Sequence, residues 1–404
     1  LSVQYALFDE EPATDLAAEL RRFRFNGRRT EIEERNGIPF YVNEFWTARQ
    51  RQGHSIHEVS YRACFKPQLP QFFIERLTKP GDTVYDPFMG RGTTAVQAVL
   101  MSRTAIGNDI NPLSTYFTRP RTAPPSLSCI GRRLDEIDWR GDHGEAPDLL
   151  VFYHPDTLAE IVALRAYLLR RDAEGTIDPI DDWIRMVAIN RLTGHSPGFF
   201  SVYSLPPNQA VSAAAQAKIN EKRGQTPPRR LVPDIIRKKS RQLLSDGAPP
   251  QNGRATFLTG PAEHTPAIKD GSVDLIVTSP PFLDVVQYAG DNWLRCWFAG
   301  LNPAEIKISM HKKAEDWAAF IARSFKEFER IVARGGHVAF EVGDVRGGKV
   351  NLEELVMASM GGTAFEPLGV MINDQAFTKT ANCWGVSNNS KGTNTNRIVL
   401  AQRA

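Results

Sequence analysis

Two short stretches carry the residue types for one kind of chemistry. The first is Ser279-Pro280-Pro281-Phe282, which follows the apolar run DLIV. Neither proline has a backbone N–H, so the ladder of a buried strand has to stop there. A hydroxyl and a fixed carbonyl on a stiff turn are two hydrogen-bond acceptors, and Phe282 adds a flat apolar surface. This set suits a planar ring that bears an exocyclic amine. Such an amine is a poor nucleophile because its lone pair is delocalised into the ring. If Ser279 Oγ and the Pro280 carbonyl each accept one amine hydrogen, the nitrogen pyramidalises and its lone pair becomes available to an electrophilic methyl group. The plain alternative is a core loop stiffened by prolines.

The second stretch is DPFMGRGTTA, residues 86–95. Gly90 and Gly92 permit a sharp bend after a strand, and the following helix aims its N-terminus at the same point. Asp109 ends the next strand, 19 residues after Gly90, where an acid can accept both hydroxyls of a ribose. The pattern Gly-x-Gly-x-x-Ala also fits a nicotinamide dehydrogenase, or a turn that binds nothing. Asp86 at the strand tip is a poor neighbour for pyrophosphate and a good one for a cation. A Gly-x-x-x-x-Gly-Lys-Ser/Thr loop is missing, which disfavours nucleoside triphosphates. An adenosine ligand carrying positive charge points to S-adenosyl-L-methionine (SAM). The candidate cofactor residues here are Asp86, Pro87, Phe88, Gly90, Gly92, Thr93, Thr94, Asp109 and Asn111.

The elements that must hold these residues can be read around them. FKPQLPQFFIERL and TTAVQAVLMS are predicted helices, and TVYD and TAIGNDI predicted strands. That order opens a doubly wound parallel sheet. Alternation resumes with strands RATFLTG and SVDLIVT, helix AAFIARSFKEFERIV, and strands HVAFEVGD and TNRIVLA. Adjacent parallel strands place their C-terminal ends in one crevice, so the two stretches can share a site. The expected fold class is α/β, a Rossmann-like doubly wound sheet of the SAM-dependent methyltransferase kind with a large, mostly helical insertion. The expected boundaries are an N-terminal extension over 1–53, a SAM-binding catalytic domain over 54–118 and 254–404, and an inserted target-recognition subdomain over 119–253. An insertion that long is too large to be a structureless loop. The extension shows one helical stretch, ATDLAAELRRFRF, capped by Thr14 or Asp15.

Of 404 residues, 42% are hydrophobic and 24% charged, which excludes global disorder. The net charge of +3 is mild, but nine Lys or Arg lie between Lys218 and Arg241 against Glu221 and Asp234. That segment is either a solvated face or a footprint for a phosphate backbone. Lys222, Arg223, Arg229, Arg230, Lys238 and Lys239 are its candidate phosphate contacts, and Asn208 and Gln209 are amides able to read base edges. Phe199, Phe200 and Tyr203 nearby are either aromatic wedges or local core. The four cysteines have no metal-ligand spacing, so no metal is expected and a reducing compartment fits. No run approaches the roughly 18 apolar residues of a membrane span, and no signal peptide is recognised. A soluble, cytoplasmic, nucleoid-associated protein is expected.

DPFMGRGTT together with TSPPF resembles the amino-methyltransferase family of DNA, SAM-dependent enzymes that methylate cytosine N4 or adenine N6. The resemblance covers about residues 54–118 and 254–344. In that family Ser-Pro-Pro-Tyr/Phe is usual for cytosine N4, and Asp- or Asn-Pro-Pro-aromatic for adenine N6. Ser279 therefore implies cytosine N4, with adenine N6 as the alternative. The resemblance further implies that Phe65 and Lys66 pack on the methionine end of the cofactor, although Lys66 equally reads as a solvent charge at a helix start. It implies double-stranded DNA as the substrate, with the target base flipped into the crevice and stacked on Phe282. A cognate restriction endonuclease and the choice between monomer and homodimer are left open.

Two departures stand out. Gly260-Pro261-Ala262 stands where the family commonly has Gly-Asp-Ala, so either Glu263 takes over the contact to the adenine amine or that contact is missing, and the insertion begins before that strand. Cytosine C5 methylation needs a cysteine nucleophile, usually after proline, and none of Cys64, Cys129, Cys296 and Cys383 follows one. An NAD-dependent dehydrogenase and a non-catalytic DNA-binding relic are the competing readings.

Overall fold

The structure is a computed structural model that describes residues 15–46, 53–61, 64–140, 144, 146–205, 210–250, 252–281, 283, 288–308, 311–343, 351–374 and 395–404. The chain opens with α1 (Leu16–Arg22), where the Asp15 carboxylate caps the helix by accepting from Ala18 N at 3.0 Å. Next come β1 (Arg24–Phe25), β2 (Arg28–Arg29), β3 (Glu31–Arg35) and β4 (Ile38–Asn43). The helix expected over ATDLAAELRRFRF therefore stops short, because its last residues enter a hairpin. Both hairpins turn on Asn-Gly pairs with positive φ: Asn26 at 48° and Gly27 at 82°, Asn36 at 52° and Gly37 at 76°. This is the turn chemistry that matches strand twist.

The central unit follows as α2 (Gln68–Leu77), β5 (Thr83–Asp86), α3 (Thr93–Leu100), β6 (Thr104–Asp109) and α4 (Pro112–Thr122). A helical segment comes next, with α5 (Leu127–Glu136), α6 (Pro155–Ala173), α7 (Pro179–Arg191), α8 (Ala213–Arg223) and α9 (Val232–Leu243). The chain then returns to the sheet as β7 (Ala255–Thr259), β8 (Val273–Thr278), α10 (Tyr288–Ala299), α11 (Ala314–Ile331) and β9 (Val332–Val342). It closes with α12 (Leu352–Ser359), β10 (Phe365–Asp374) and β11 (Thr395–Arg403).

Among the described residues, nine strands form one sheet in the order β3-β4-β10-β11-β9-β8-β5-β6-β7. The run from β9 to β7 is parallel, and β11 lies antiparallel between β9 and β10. From β5 the chain winds outward through β6 to β7, then returns to the other flank of β5 as β8 and winds on to β9. The reversal falls between β5 and β8, and doubly wound sheets bind ligands at such a point. The expected α/β class holds. The sheet is wider than the sequence reading, because β4 runs parallel to β10, with Phe40 opposite Val370, and β3 forms the outer edge.

Alternation along the strands builds two cores. Leu275, Val277 and Ala339 pack with α2 and α3, while Ile276, Val338 and Phe340 face α11 and α12. A third core joins the helical segment to the rest, because Leu113 and Phe117 of α4 and Leu294 and Phe298 of α10 share it with Trp183 and Ile236.

Candidate active site

At the C-terminal rim of the sheet, strands β5 and β8 end side by side and are tied there. Thr278 Oγ1 donates to Asp86 Oδ1 at 2.6 Å, and Thr94 Oγ1 at the start of α3 donates to the Val277 carbonyl at 3.0 Å. Two hydroxyls thus fix the distance between the glycine bend and the Ser-Pro-Pro turn. The bend is close-packed: Gly92 sits at φ 74°, and a Cβ there would lie 2.1 Å from Thr118 Oγ1. Only glycine fits that position. Gly90, at φ 50°, donates its N–H to Asp109 Oδ2 at 2.8 Å, and Asn111 N donates to Asp109 Oδ1 at 2.8 Å.

Arg91, inside the bend, fastens a preceding segment over it. Its guanidinium donates to the carbonyls of Val59 and Phe65, each at 3.0 Å. The fully buried Arg121 donates to the carbonyls of Arg91 and Phe117, and burial lowers its pKa to about 9. Tyr61, Cys64 and Phe65 are thereby held above the glycine bend.

These elements enclose a cavity of about 300 Å³. Of the residues expected from sequence, Phe65, Pro87, Phe88, Gly90, Thr93, Asp109, Asn111, Ser279, Pro280 and Pro281 line it. Asp86, Gly92 and Thr94 stand behind that wall and shape it. Lys66 is exposed at the entry to α2 and is not among the residues that line the cavity. Phe282 lies outside the described residues.

Several lining residues escaped the sequence reading. Tyr61, Cys64, Lys307 and Phe320 come from loops and helices with no local signal, whereas Met89 and Ile110 are apolar members of the stretches DPFMGRGTTA and TAIGNDI. Met89 fits because Gly107 on β6 has no side chain: a Cβ there would meet Met89 Sδ at 2.4 Å. Pro261, Ala262 and Glu263 also form wall, and Glu263 is paired to Arg323 at 3.2 Å. Trp317 of α11 donates its indole N–H to the Pro281 carbonyl at 2.9 Å. That bond pins the turn and leaves the Pro280 carbonyl as its candidate acceptor for a ligand.

The electrostatics are those of a site kept for a cation. Asp86 is 1% exposed, and burial pushes its carboxyl up to about 7 despite the Thr278, Phe88 and Thr94 hydrogen bonds. Burial also raises Asp109 above the usual carboxylate range. Neither acid forms an ion pair among the described residues. A positively charged ligand would restore their ionised forms.

The cations of the helical segment are placed differently from expectation. Lys239 is 7% exposed, with Nζ 3.1 Å from Gln242 Oε1 and 3.5 Å from Glu58 Oε2. It shares the inward face of α9 with Val232, Ile236 and Leu243, which removes it from any phosphate surface. Arg229 is engaged by Glu160 at 2.7 Å and Asp156 at 3.4 Å. Arg230 is half-buried, and its backbone N–H binds Thr157 Oγ1 at 2.7 Å. Arg223 lies over the Tyr203 ring at 3.8 Å. Lys222 and Lys238 are exposed and form no ion pair among the described residues. Asn208 and Gln209 lie outside the described residues, and Phe200 is core. No described helix is long and apolar enough to cross a membrane.

Residues 24–115 match the profile of the family described as DNA methylase, which spans the N6 and N4 enzymes. The chain is 44% identical over 66 residues to the Type II methyltransferase M.MjaII of Methanocaldococcus jannaschii, covering 16% of this chain and 12% of that one. It is 33% identical over 127 residues to M.MvaI of Kocuria varians, covering 31% and 26%. Over 354 residues it is 22% identical to M.BsoBI of Geobacillus stearothermophilus, covering 78% of this chain and 67% of that protein. The chain thus spans a minor part of the first two relatives and about two thirds of the third. The family resemblance is borne out to this extent: residues 24–115, which include DPFMGRGTT, match the DNA methylase family, and these relatives are Type II methyltransferases.

Proposed function

We propose that the protein is a SAM-dependent DNA methyltransferase that modifies the exocyclic N4 of cytosine in duplex DNA. One observation carries the reading: the Ser279-Pro280-Pro281 turn and the Asp86–Gly90–Asp109 bend share one cavity across the reversal point of the sheet. The cavity's donor set fits the cofactor. Asp109, already holding two backbone amides, has lone pairs left for ribose hydroxyls. Asp86 lies behind the wall as a counter-charge for a cation. Glu263 is the candidate acceptor for the adenine amine. When bound, SAM supplies the electrophilic sulfonium methyl.

The chain's own residues then position and polarise. Ser279 Oγ and the Pro280 carbonyl each accept one hydrogen of the target amine and turn its lone pair toward the methyl. Trp317 holds the turn still while this happens. The base reaches the cavity by leaving the duplex stack. Residues 119–253 are assigned target recognition, with Lys222 and Lys238 facing phosphates.

Incubation with unmethylated DNA and labelled SAM, followed by digestion to nucleosides, tests the reading. Label in N4-methylcytosine supports it. Label in N6-methyladenine keeps the mechanism and overturns the base. No label despite cofactor binding overturns the function. Ser279→Ala is expected to keep SAM affinity and lower methylation on the order of a hundredfold; unchanged turnover would remove Ser279 from the mechanism.

A further inference from the structure

Strands β8 and β9 run parallel, with Val277 opposite Ala339 and Thr278 opposite Phe340. The next pair outward is Ser279 and Glu341. Lateral neighbours in a sheet point to the same face, so both side chains stand together at the rim. Glu341 is 6% exposed, and its Oε1 accepts from Asn396 Nδ2 of β11 at 2.9 Å. Burial holds its carboxyl above the usual carboxylate range, and the Ser279 hydroxyl and the Asn396 amide offset only part of that rise. Ser279 Oγ is itself buried and makes no hydrogen bond of ordinary geometry among the described residues. A hydroxyl is therefore poised against a carboxylate without being fully engaged. Such gaps in a ligand-free site close when the substrate arrives.

The direction of the Ser279 proton decides what Ser279 can do. A hydroxyl has one hydrogen and two lone pairs, and an ionised carboxylate can only accept. If the hydrogen turns into the cavity, it meets the hydrogens of the target amine and repels them. If it turns to Glu341, both lone pairs stay available to the amine. The Asn396 amide already donates to Glu341, and a Ser279 hydrogen turned the same way adds a second donor that favours its accepting form.

We infer that Glu341 is a positioning residue: it takes the Ser279 hydroxyl hydrogen and so keeps Ser279 Oγ an acceptor for the target amine. The inference rests on the role given to Ser279 above. In Glu341→Gln the new NH₂ either faces Ser279, turning its hydroxyl round, or faces Asn396 and clashes with its amide.

The test compares Ser279→Ala, Glu341→Gln and the double variant for SAM affinity by calorimetry and for single-turnover methyl transfer to DNA. Glu341→Gln is expected to keep SAM affinity within about twofold while slowing transfer about 10- to 100-fold, the scale of one misdirected hydrogen bond in such a site. The double variant is expected to be no slower than Ser279→Ala, because the two residues act as one unit. Additive losses would mean that Glu341 acts independently of Ser279, which overturns the inference. Loss of SAM binding in Glu341→Gln would show a supporting role in the fold and overturn it too. If Ser279→Ala is slow and Glu341→Gln is not, this inference alone fails. A fully active Ser279→Ala sinks the parent reading of Ser279 and this one with it.

Discussion

Around the cavity, the buried acids Asp86 and Glu341 and the half-buried Asp109 are met by hydroxyls and amides, and none forms an ion pair among the described residues. In the helical segment the arrangement is reversed. Asp181 is fully buried yet receives both Arg133 and Arg171, the latter at 2.7 Å, and Glu160 is held by Arg229 at 2.7 Å. One region leaves acids waiting for a partner, and the other supplies the partner from its own chain. Burying a carboxylate without a cation costs stability, so a fold keeps that arrangement where a ligand provides the counter-charge. Internal pairing, by contrast, makes a rigid platform and leaves few cations for a partner.

The largest expected effect lies at the bend. Gly92→Ala combines a left-handed backbone with overpacking against Thr118 and is expected to cost about 3–5 kcal/mol. Thermal unfolding should show a large fall in Tm, and calorimetry a loss of SAM binding. A well-folded variant that binds SAM normally would mean that the bend is not close-packed. In the helical segment, Arg133→Ala takes from the buried Asp181 one of its two cations, leaving Arg171 and the neutral donors Tyr167 and Asp178 N, and should destabilise by on the order of 2–3 kcal/mol. SAM affinity should stay near the parent value, since the lesion is remote from the cavity.

Asp86 gives the comparison a pH axis. Its folded-state pKa, about 7, lies above the ordinary 3.8. Its contribution to stability is therefore fully present below the unfolded value and is lost as pH rises through about 7. Cation binding has the opposite sign, because it needs the ionised form. SAM affinity should fall up to about tenfold per pH unit as pH drops below the Asp86 pKa. Asp86→Asn should flatten this slope and stabilise the ligand-free protein at pH above 7. The smallest effect is expected on the platform surface. Lys222→Ala and Lys238→Ala should each weaken DNA binding several-fold and reduce the salt slope by about 1. Arg237→Ala, whose guanidinium is already paired with Asp135, should leave the slope unchanged.

Local turn chemistry made the site legible. The glycine bend and the proline turn announce themselves within a few residues, and the β-α-β order around them predicts that they meet. The two Asn-Gly turns near the N-terminus carry an equally local signal, Asn36-Gly37 between EIEER and IPFYV, which was the clue to β3 and β4. Lys239 was legible too, since its spacing from Val232, Ile236 and Leu243 puts it on the apolar face of α9. What no window reveals is contact between distant elements. The Trp317 bond to Pro281, the Thr278 bond to Asp86 and the side-by-side placement of Ser279 and Glu341 all depend on how helices and strands dock. The inward turn of Arg229 likewise depends on α6 supplying Asp156 and Glu160.

The place of β4, between β3 and β10, has a consequence for synthesis. The backbone N–H of Phe45, just past β4, is held by Asn373 Oδ1 at 2.7 Å, a partner 328 positions later in the chain. At a translation rate of about 5–20 residues per second, that partner emerges on the order of twenty seconds to a minute after Phe45. Throughout that interval Phe40 and Tyr41, both core residues of the finished protein, have no sheet to join. The hairpin partner available to them meanwhile is β3, whose Glu31, Glu33 and Glu34 are exposed along the outer edge. Repulsion between such edges on neighbouring nascent chains disfavours their pairing with one another until β10 arrives.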